Sequence, residues 1–211
     1  MQSYCKNMTQ SDVCAIRTES QMPRWRPLVQ WFLCLPHLLY TGLLALASVV
    51  AGIAAAIIVV VTGRAPTRLL TIHALSLRQR VRSFSYLWLL RTTRPPYATS
   101  ATFGDPGDDD LVTVSFGFPP STTRRLAPLV RLVILIPQGI VLQLIAIALD
   151  LTYPLWALYA AANRGFPETV SRRLVQLETR VVAVLSYALL MTDETPRFGL
   201  TAYSRHRPAM P

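Results

Sequence analysis

Residues Pro27–Val61 form a run of thirty-five positions without a single Asp, Glu, Lys or Arg. A helix that crosses the hydrocarbon core of a bilayer takes about 20 apolar residues, so this run is long enough with residues to spare. A core helix of a soluble protein keeps a charged outer face and has no use for such a run. The run also recurs 101 positions later, as Pro128–Ala162, where Arg131 and Asp150 are the charges inside it. The chain therefore reads as an all-α integral membrane protein built from two tandem repeats.

The register of the repeat is carried by spaced landmarks. Arg24, Pro27, Leu28 and Val29 fall on Arg125, Pro128, Leu129 and Val130; Pro36 falls on Pro137, Pro66 on Pro167, Tyr86 on Tyr187 and Pro95 on Pro196. No gap is needed, and self-similarity at a fixed period is the signature of duplicated units. Each unit opens on a basic doublet (Arg24/Arg26; Arg124/Arg125) and runs through the apolar block to a turn, Thr62–Pro66 or Asn163–Pro167. A proline there suits the start of a second helix. That second segment, 67–91 or 168–192, is basic over its first two-thirds and oily at its end. Its pattern predicts an amphipathic interfacial helix with snorkelling arginines. A Pro-rich exit follows at Pro95-Pro96-Tyr97 or Pro196-Arg197-Phe198.

The resulting division is a polar N-terminal segment (1–22), membrane repeat 1 (23–98), a polar linker (99–122), membrane repeat 2 (123–200) and a basic C-terminal tail (201–211). Residues 1–22 lack the short apolar stretch and small-residue cleavage pattern of a signal peptide, and Met8 and Met22 are alternative starts. Within the linker, 98–110 reads as a solvated loop ending Asp105-Pro106-Gly107-Asp108-Asp109-Asp110. Leu111–Phe118 is strand-like, with a fainter counterpart at Gln10–Arg17.

The charge balance is 21 basic residues against 11 acidic, a net +10, and Lys6 is the single lysine. Beside two apolar blocks this excess points to an anionic membrane surface or to flanks that set topology. No nucleic-acid-binding motif accompanies it, so nucleic acid is not an expected partner. The expected partners are the bilayer itself, anionic lipids, and another membrane protein or a second copy of the chain. Cys5, Cys14 and Cys34 have neither CxxC spacing nor an even count, which argues against a disulfide framework or a zinc site.

Thirty-five helical residues extend about 52 Å, against a hydrocarbon core of about 30 Å. One straight crossing per block would also place eleven basic residues on one side and ten on the other, with the two copies inverted although their arginines match. That division shows no positive-inside bias. A helical hairpin in each block, bending at Thr41-Gly42 and Leu142-Gln143, keeps every basic flank on one face. A kinked long helix, broken near Pro36 or Pro137, is the alternative.

Asp150 is the one acid inside either block, and an ionisable group at membrane depth is a functional hypothesis by default. The bland reading puts it near the interface, and its counterpart is Val50. His37 is the second candidate for an intramembrane polar site, against a structural contact suggested by its counterpart Gln138. Arg64, Arg68, Arg78, Arg82, Arg172, Arg173 and Arg180 are candidate contacts for lipid headgroups. Asp105, Asp108, Asp109 and Asp110 lack the spacing of an EF-hand loop, so solvated linker is preferred to calcium site. No metal or cofactor is expected, and no catalytic motif is present: GxSxG, HExxH, P-loop and Rossmann patterns are all missing.

Arg24-Trp25-Arg26-Pro27-Leu28-Val29-Gln30-Trp31, Pro36-His37, Thr62-Gly63-Arg64-Ala65-Pro66 and Pro95-Pro96-Tyr97 together resemble a bacterial family known only as domain of unknown function 4389. The second copy keeps Pro128-Leu129-Val130, Pro137, Pro167, Tyr187, Thr192-Asp193, Pro196 and Phe198. The resemblance covers about 23–98 and 111–200. It implies a membrane protein without an assigned activity, and no catalytic residue carries over. The expectation is thus a non-enzymatic scaffold or accessory subunit in the inner (plasma) membrane, multi-pass, with its basic flanks facing the cytoplasm. A small transporter or channel subunit using Asp150 is the alternative.

Overall fold

A computed structural model describes residues 14–19, 22–118 and 123–192. Most of the chain is helical, and two of its four helices are long and apolar enough to cross a membrane. The elements are β1 (Cys14–Ile16), α1 (Arg26–Thr62), α2 (Thr67–Leu87), β2 (Val112–Val114), α3 (Ala127–Asn163) and α4 (Glu168–Ala188). β1 and β2 pair antiparallel, with Ala15 opposite Thr113. The strand-like run and its faint counterpart are therefore both strands, although only three residues of each pair. The exit at Pro196–Phe198, the tail 201–211 and residues 1–13 lie outside the described residues.

Both apolar blocks are single helices of 37 residues. No bend occurs at Thr41-Gly42 or at Leu142-Gln143, so the hairpin expectation is corrected. Neither site carries the Pro-Gly or Asn-Gly chemistry of a tight turn, and an unbroken helix keeps the backbone groups there paired. Pro36, Pro137 and Pro154 are accommodated within the helices, each removing one backbone donor.

The bounds of α3 and α4 are those of α1 and α2 shifted by 101 residues at both ends. The turns agree in the same way. α1 ends on Gly63 (φ 70°) and α3 on Arg164 (φ 60°), both left-handed. α2 and α4 are closed by left-handed Leu89 and Leu190, with Leu90 N–H donating to Ser85 O and Met191 N–H to Ser186 O. Such six-to-one bonds satisfy carbonyls that the last helical turn leaves open.

Within each half the two helices pack antiparallel. The Gln30 amide near the start of α1 donates to Tyr86 O at the end of α2 (2.8 Å). In the second half the Arg131 guanidinium donates to Tyr187 O (3.0 Å), 101 residues on at both ends. The two long helices are also antiparallel to each other. Thr123 N–H, leading into α3, donates to Gly63 O at the end of α1, and Met22 N–H, leading into α1, donates to Arg164 O. Contacts between the halves are reciprocal. Leu189 approaches Gly52 and His73, and its counterpart Trp88 packs on Tyr153 and Leu174.

The helices stack in layers. α2 lies under α1, and β2 with the linker covers the far side of α2. The main core is therefore Leu70, Ala74, Leu77 and Val81 of α2, closed by Val59 of α1, by Val112, Val114, Phe103 and Phe116, and by Val182 of α4. Twelve of the 21 residues of α2 are buried, among them Arg78 and Arg82. The expectation of an interfacial helix fails for α2: it is a core helix with protein on both faces. The linker, too, is a folded cap and not a solvated loop, since Ala98, Phe103, Asp109 and Phe116 are buried.

Candidate functional site

The outer faces of α1 and α3 are the largest feature of the surface. Among the described residues, Leu39 (71% exposed), Leu43 (66%), Ile53, Ile57 and Val61 on α1, and Leu132, Val133, Leu151 (76%) and Leu155 on α3, are uncovered. The covered stripe of α1 is narrow and recurs at three- and four-residue steps: Pro27, Gln30, Cys34 and His37, then the half-buried Thr41 and Leu44, then Ser48, Ala51, Ala55 and Val59. Everything polar on this helix is on that stripe or beside it, so α1 meets α2 with its polar side and shows hydrocarbon outward. A contiguous apolar patch of this extent is not a feature of a free soluble monomer.

Arginines stand at the four ends of the long helices. Arg24 and Arg164 line one shallow crevice. At the opposite end, the Arg125 side chain passes beside Gly63, next to Arg64 and Arg68. Arg24, Arg64, Arg68, Arg124, Arg125 and Arg164 are exposed, as are Arg172 and Arg173 on α4, and Arg180 is half-buried. No acid occupies the first turn of α1, α2 or α3. Of the arginines proposed for lipid contact from sequence, Arg64, Arg68, Arg172 and Arg173 are thus on the surface.

Arg78 and Arg82 are not, and this is a correction. Both are fully buried. Arg78 donates to the carbonyls of Ser100 (2.9 Å), Thr102, Gly104 and Val114, and so holds the linker on α2. Burial pulls its guanidinium below its ordinary pKa, with Asp105 opposing. Arg82 pairs with Asp108 and lies 3.6 Å from Asp109, which Arg91 approaches to 2.7 Å. Arg82 holds the Asp108 carboxyl below the usual carboxylate range. The acidic linker residues are therefore counter-ions of buried arginines. A buried guanidinium without a partner would cost several kcal/mol, which is why the acids and the arginines are found together.

Beneath the apolar surface runs a closed polar seam. His37 is fully buried, stacks on Tyr97 (ring centroids 4.4 Å apart) and has neither ring nitrogen hydrogen-bonded. Thr41 and Ser83 share a hydrogen bond of 2.8 Å, and the Ser48 hydroxyl and His73 Nδ1 lie 2.5 Å apart. Burial lowers the His73 pKa to about 4, which keeps its ring neutral near pH 7. The Ser48–His73 bond joins α1 to α2, and His73 and Leu189 both pack against Gly52.

Asp150 sits on the exposed side of α3 and lines no cavity described here. An apolar groove of about 340 Å³ lies between the halves, lined by Trp88, Leu149, Trp156, Phe166, Arg173 and Leu174.

Two residues escaped the sequence reading. Asp109 looked like one of several solvated acids and is the acid that Arg82 and Arg91 share. Glu178 is fully buried, with Arg80 Nε 3.2 Å away, and burial pushes its carboxyl up to about 7. A signal for Glu178 existed: Leu174, Glu178, Val182 and Ser186 recur every four residues, which places a carboxylate on the inward stripe of α4. Within the described residues no cluster of three or more metal-binding side chains occurs.

No family model, no characterised protein and no solved structure matches this chain.

Proposed function

We propose that this chain is a bilayer-embedded protein of two duplicated units that works as a non-catalytic scaffold or accessory subunit, held by lipid and presenting its other face to partners. The observation that carries this reading is the uncovered apolar surface of α1 and α3. Some thirty large apolar side chains on these two helices stand exposed. Each leaves on the order of 1 kcal/mol of burial energy unrealised. The sum, tens of kcal/mol, is the cost of keeping this face in water and not covered by an apolar phase. Lipid removes that cost. The common register of helices, caps and interhelical bonds at 101 residues supports the duplication, and the resemblance to the family of domain of unknown function 4389 points to the same class of protein.

The polar side chains that a transporter would line a path with are engaged inside the fold: Arg78 and Arg82 with the linker, Ser48 with His73. The scaffold reading is therefore preferred to transport through Asp150. The basic flanks favour the cytoplasmic face of the inner membrane. The chain should sediment with membranes, resist extraction by high salt and alkaline carbonate, and be released by detergent. Release by salt alone would refute the reading.

A further inference from the structure

We infer that α1 and α3 do not cross the bilayer but lie side by side in the plane of one leaflet, with lipid acyl chains as the occupant of their shared apolar face. This deepens the membrane reading above and rests on it.

Length is the first ground. A helix of 37 residues is about 55 Å long and would overhang a core of about 30 Å by about 25 Å. Laid flat, the same helix is about 10 Å thick and fits within the roughly 15 Å of a single leaflet's hydrocarbon.

The second ground is what lies level with the middle of α1. Ser48 is opposite His73, and Thr41 is opposite Ser83. Arg78, halfway between His73 and Ser83 on α2, is therefore level with the midpoint of α1. Arg78 is also where the linker is fastened, through Ser100, Thr102, Gly104 and Val114. Thr99, Thr102, Gly104, Pro106, Gly107, Asp108 and Asp110 of this linker are exposed. In a centred crossing they would stand in the middle of the hydrocarbon, with backbone groups and carboxylates facing lipid. With the long helices flat, the linker meets α1 only at its start, where Tyr40 donates to Ala98 O, and the part fastened to Arg78 and Arg82 lies on α2, toward water.

Charge supplies the third ground. The exposed arginines sit at both ends of the antiparallel pair, Arg24 with Arg164 and Arg64 with Arg124 and Arg125. Along the apolar face between them the exposed charge is Asp150. Flat helices put both arginine groups at headgroup level at once, matching an anionic leaflet. Reciprocal contacts between the halves make the relation between them an approximate two-fold. In this orientation that axis stands along the membrane normal, so both units meet the leaflet in the same way.

The test is made on the full-length chain bound to vesicles of phosphatidylcholine with phosphatidylglycerol. Polarised infrared spectroscopy of the wild-type chain on oriented bilayers reads helix tilt without any variant. Since the four helices run nearly parallel or antiparallel, an amide I dichroism for axes in the membrane plane is expected, and one for axes along the normal overturns the inference. Single cysteines at Arg24→Cys, Arg64→Cys, Gly107→Cys and Arg164→Cys, with the native cysteines replaced by alanine, should all label with an impermeant maleimide added outside. Protection of Arg64→Cys while Arg24→Cys and Arg164→Cys label would mean a crossing and sink the proposal. A chain that fails to float with vesicles and elutes as a dimer would mean that a second copy covers the face. That result removes the membrane reading too, whereas a floating chain with crossing labels removes only the in-plane orientation.

Discussion

Asp109→Ala tests whether the linker is a folded part of the protein. The Asp109 side chain is 1% exposed and stands between Arg82 and Arg91, which are 0% and 4% exposed. One Asp109 oxygen receives the Arg91 guanidinium at 2.7 Å, and the other accepts the Leu111 N–H at 3.1 Å. Alanine leaves Asp108 to serve Arg82, so the uncompensated charge falls on Arg91. Breaking a buried pair from one side costs about 3–5 kcal/mol. The low end applies here, because Arg91 keeps its bonds to Thr93 O and Thr93 Oγ1. Asp110→Ala, at an exposed position, should stay within about 0.5 kcal/mol. Denaturant unfolding in detergent micelles measures both, and limited proteolysis reads the linker directly: Asp109→Ala should be cut within 98–118 well before the wild type. Asp109→Leu with Arg91→Met replaces the pair by apolar groups and should recover most of the loss. If Asp109→Ala unfolds and is cut like Asp110→Ala, the clasp does not exist in solution.

Four further outcomes follow from single residues. Because burial raises the Glu178 carboxyl from 4.5 to about 7, the folded state holds a proton that the unfolded chain has released. Stability is therefore greatest below about 4.5 and falls as pH rises through the window up to about 7; Glu178→Gln should flatten that fall in thermal melts taken across pH. Gly63→Ala, at φ 70°, should destabilise by about 1 kcal/mol, whereas Arg164→Gly at the matching φ of 60° should be neutral or stabilising; equal losses would count against equivalent caps. Ser48→Ala removes the one partner of His73, whose Nε2 has none, and should lower stability by about 1–3 kcal/mol in the same unfolding assay. Asp150→Asn should leave membrane binding and melting unchanged, and a shift of several degrees would mean that this carboxylate has a partner.

The four helices and their common register were legible from sequence because their landmarks are local: prolines at helix starts, Gly63 at a helix end, thirty-five uncharged positions in a row. What α2 packs against was not. Arg78 and Arg82 read as snorkelling side chains because their partners are 14 to 36 residues away, mostly in a segment whose Gly, Pro and Asp composition resembles any exposed loop. The pairing of Arg82 and Arg91 with Asp108 and Asp109, together with the Arg78 bonds to linker carbonyls, turns that segment into a cap, and composition does not encode pairing. The hairpin expectation erred for a different reason. It folded in two a block too long for one crossing, whereas α1 and α3 run unbroken through both expected bends.

The arginines drew that expectation, and they still constrain the answer. If the chain is held by a membrane, the positive-inside tendency favours both sets of basic flanks on one face. Two antiparallel helices that each cross once cannot do this, since the two-fold relating them would lie in the membrane plane and invert one copy. Hairpins would satisfy the requirement with two crossings per copy, but α1 and α3 are unbroken. Zero crossings also satisfies it. With the axis along the membrane normal, antiparallel neighbours become equivalent neighbours, all four helix ends reach the same headgroup level, and the acidic linker stays in water. Under the in-plane proposal the excess length of α1 has a direct use: its 37 residues set a footprint about 55 Å long for each unit on the leaflet.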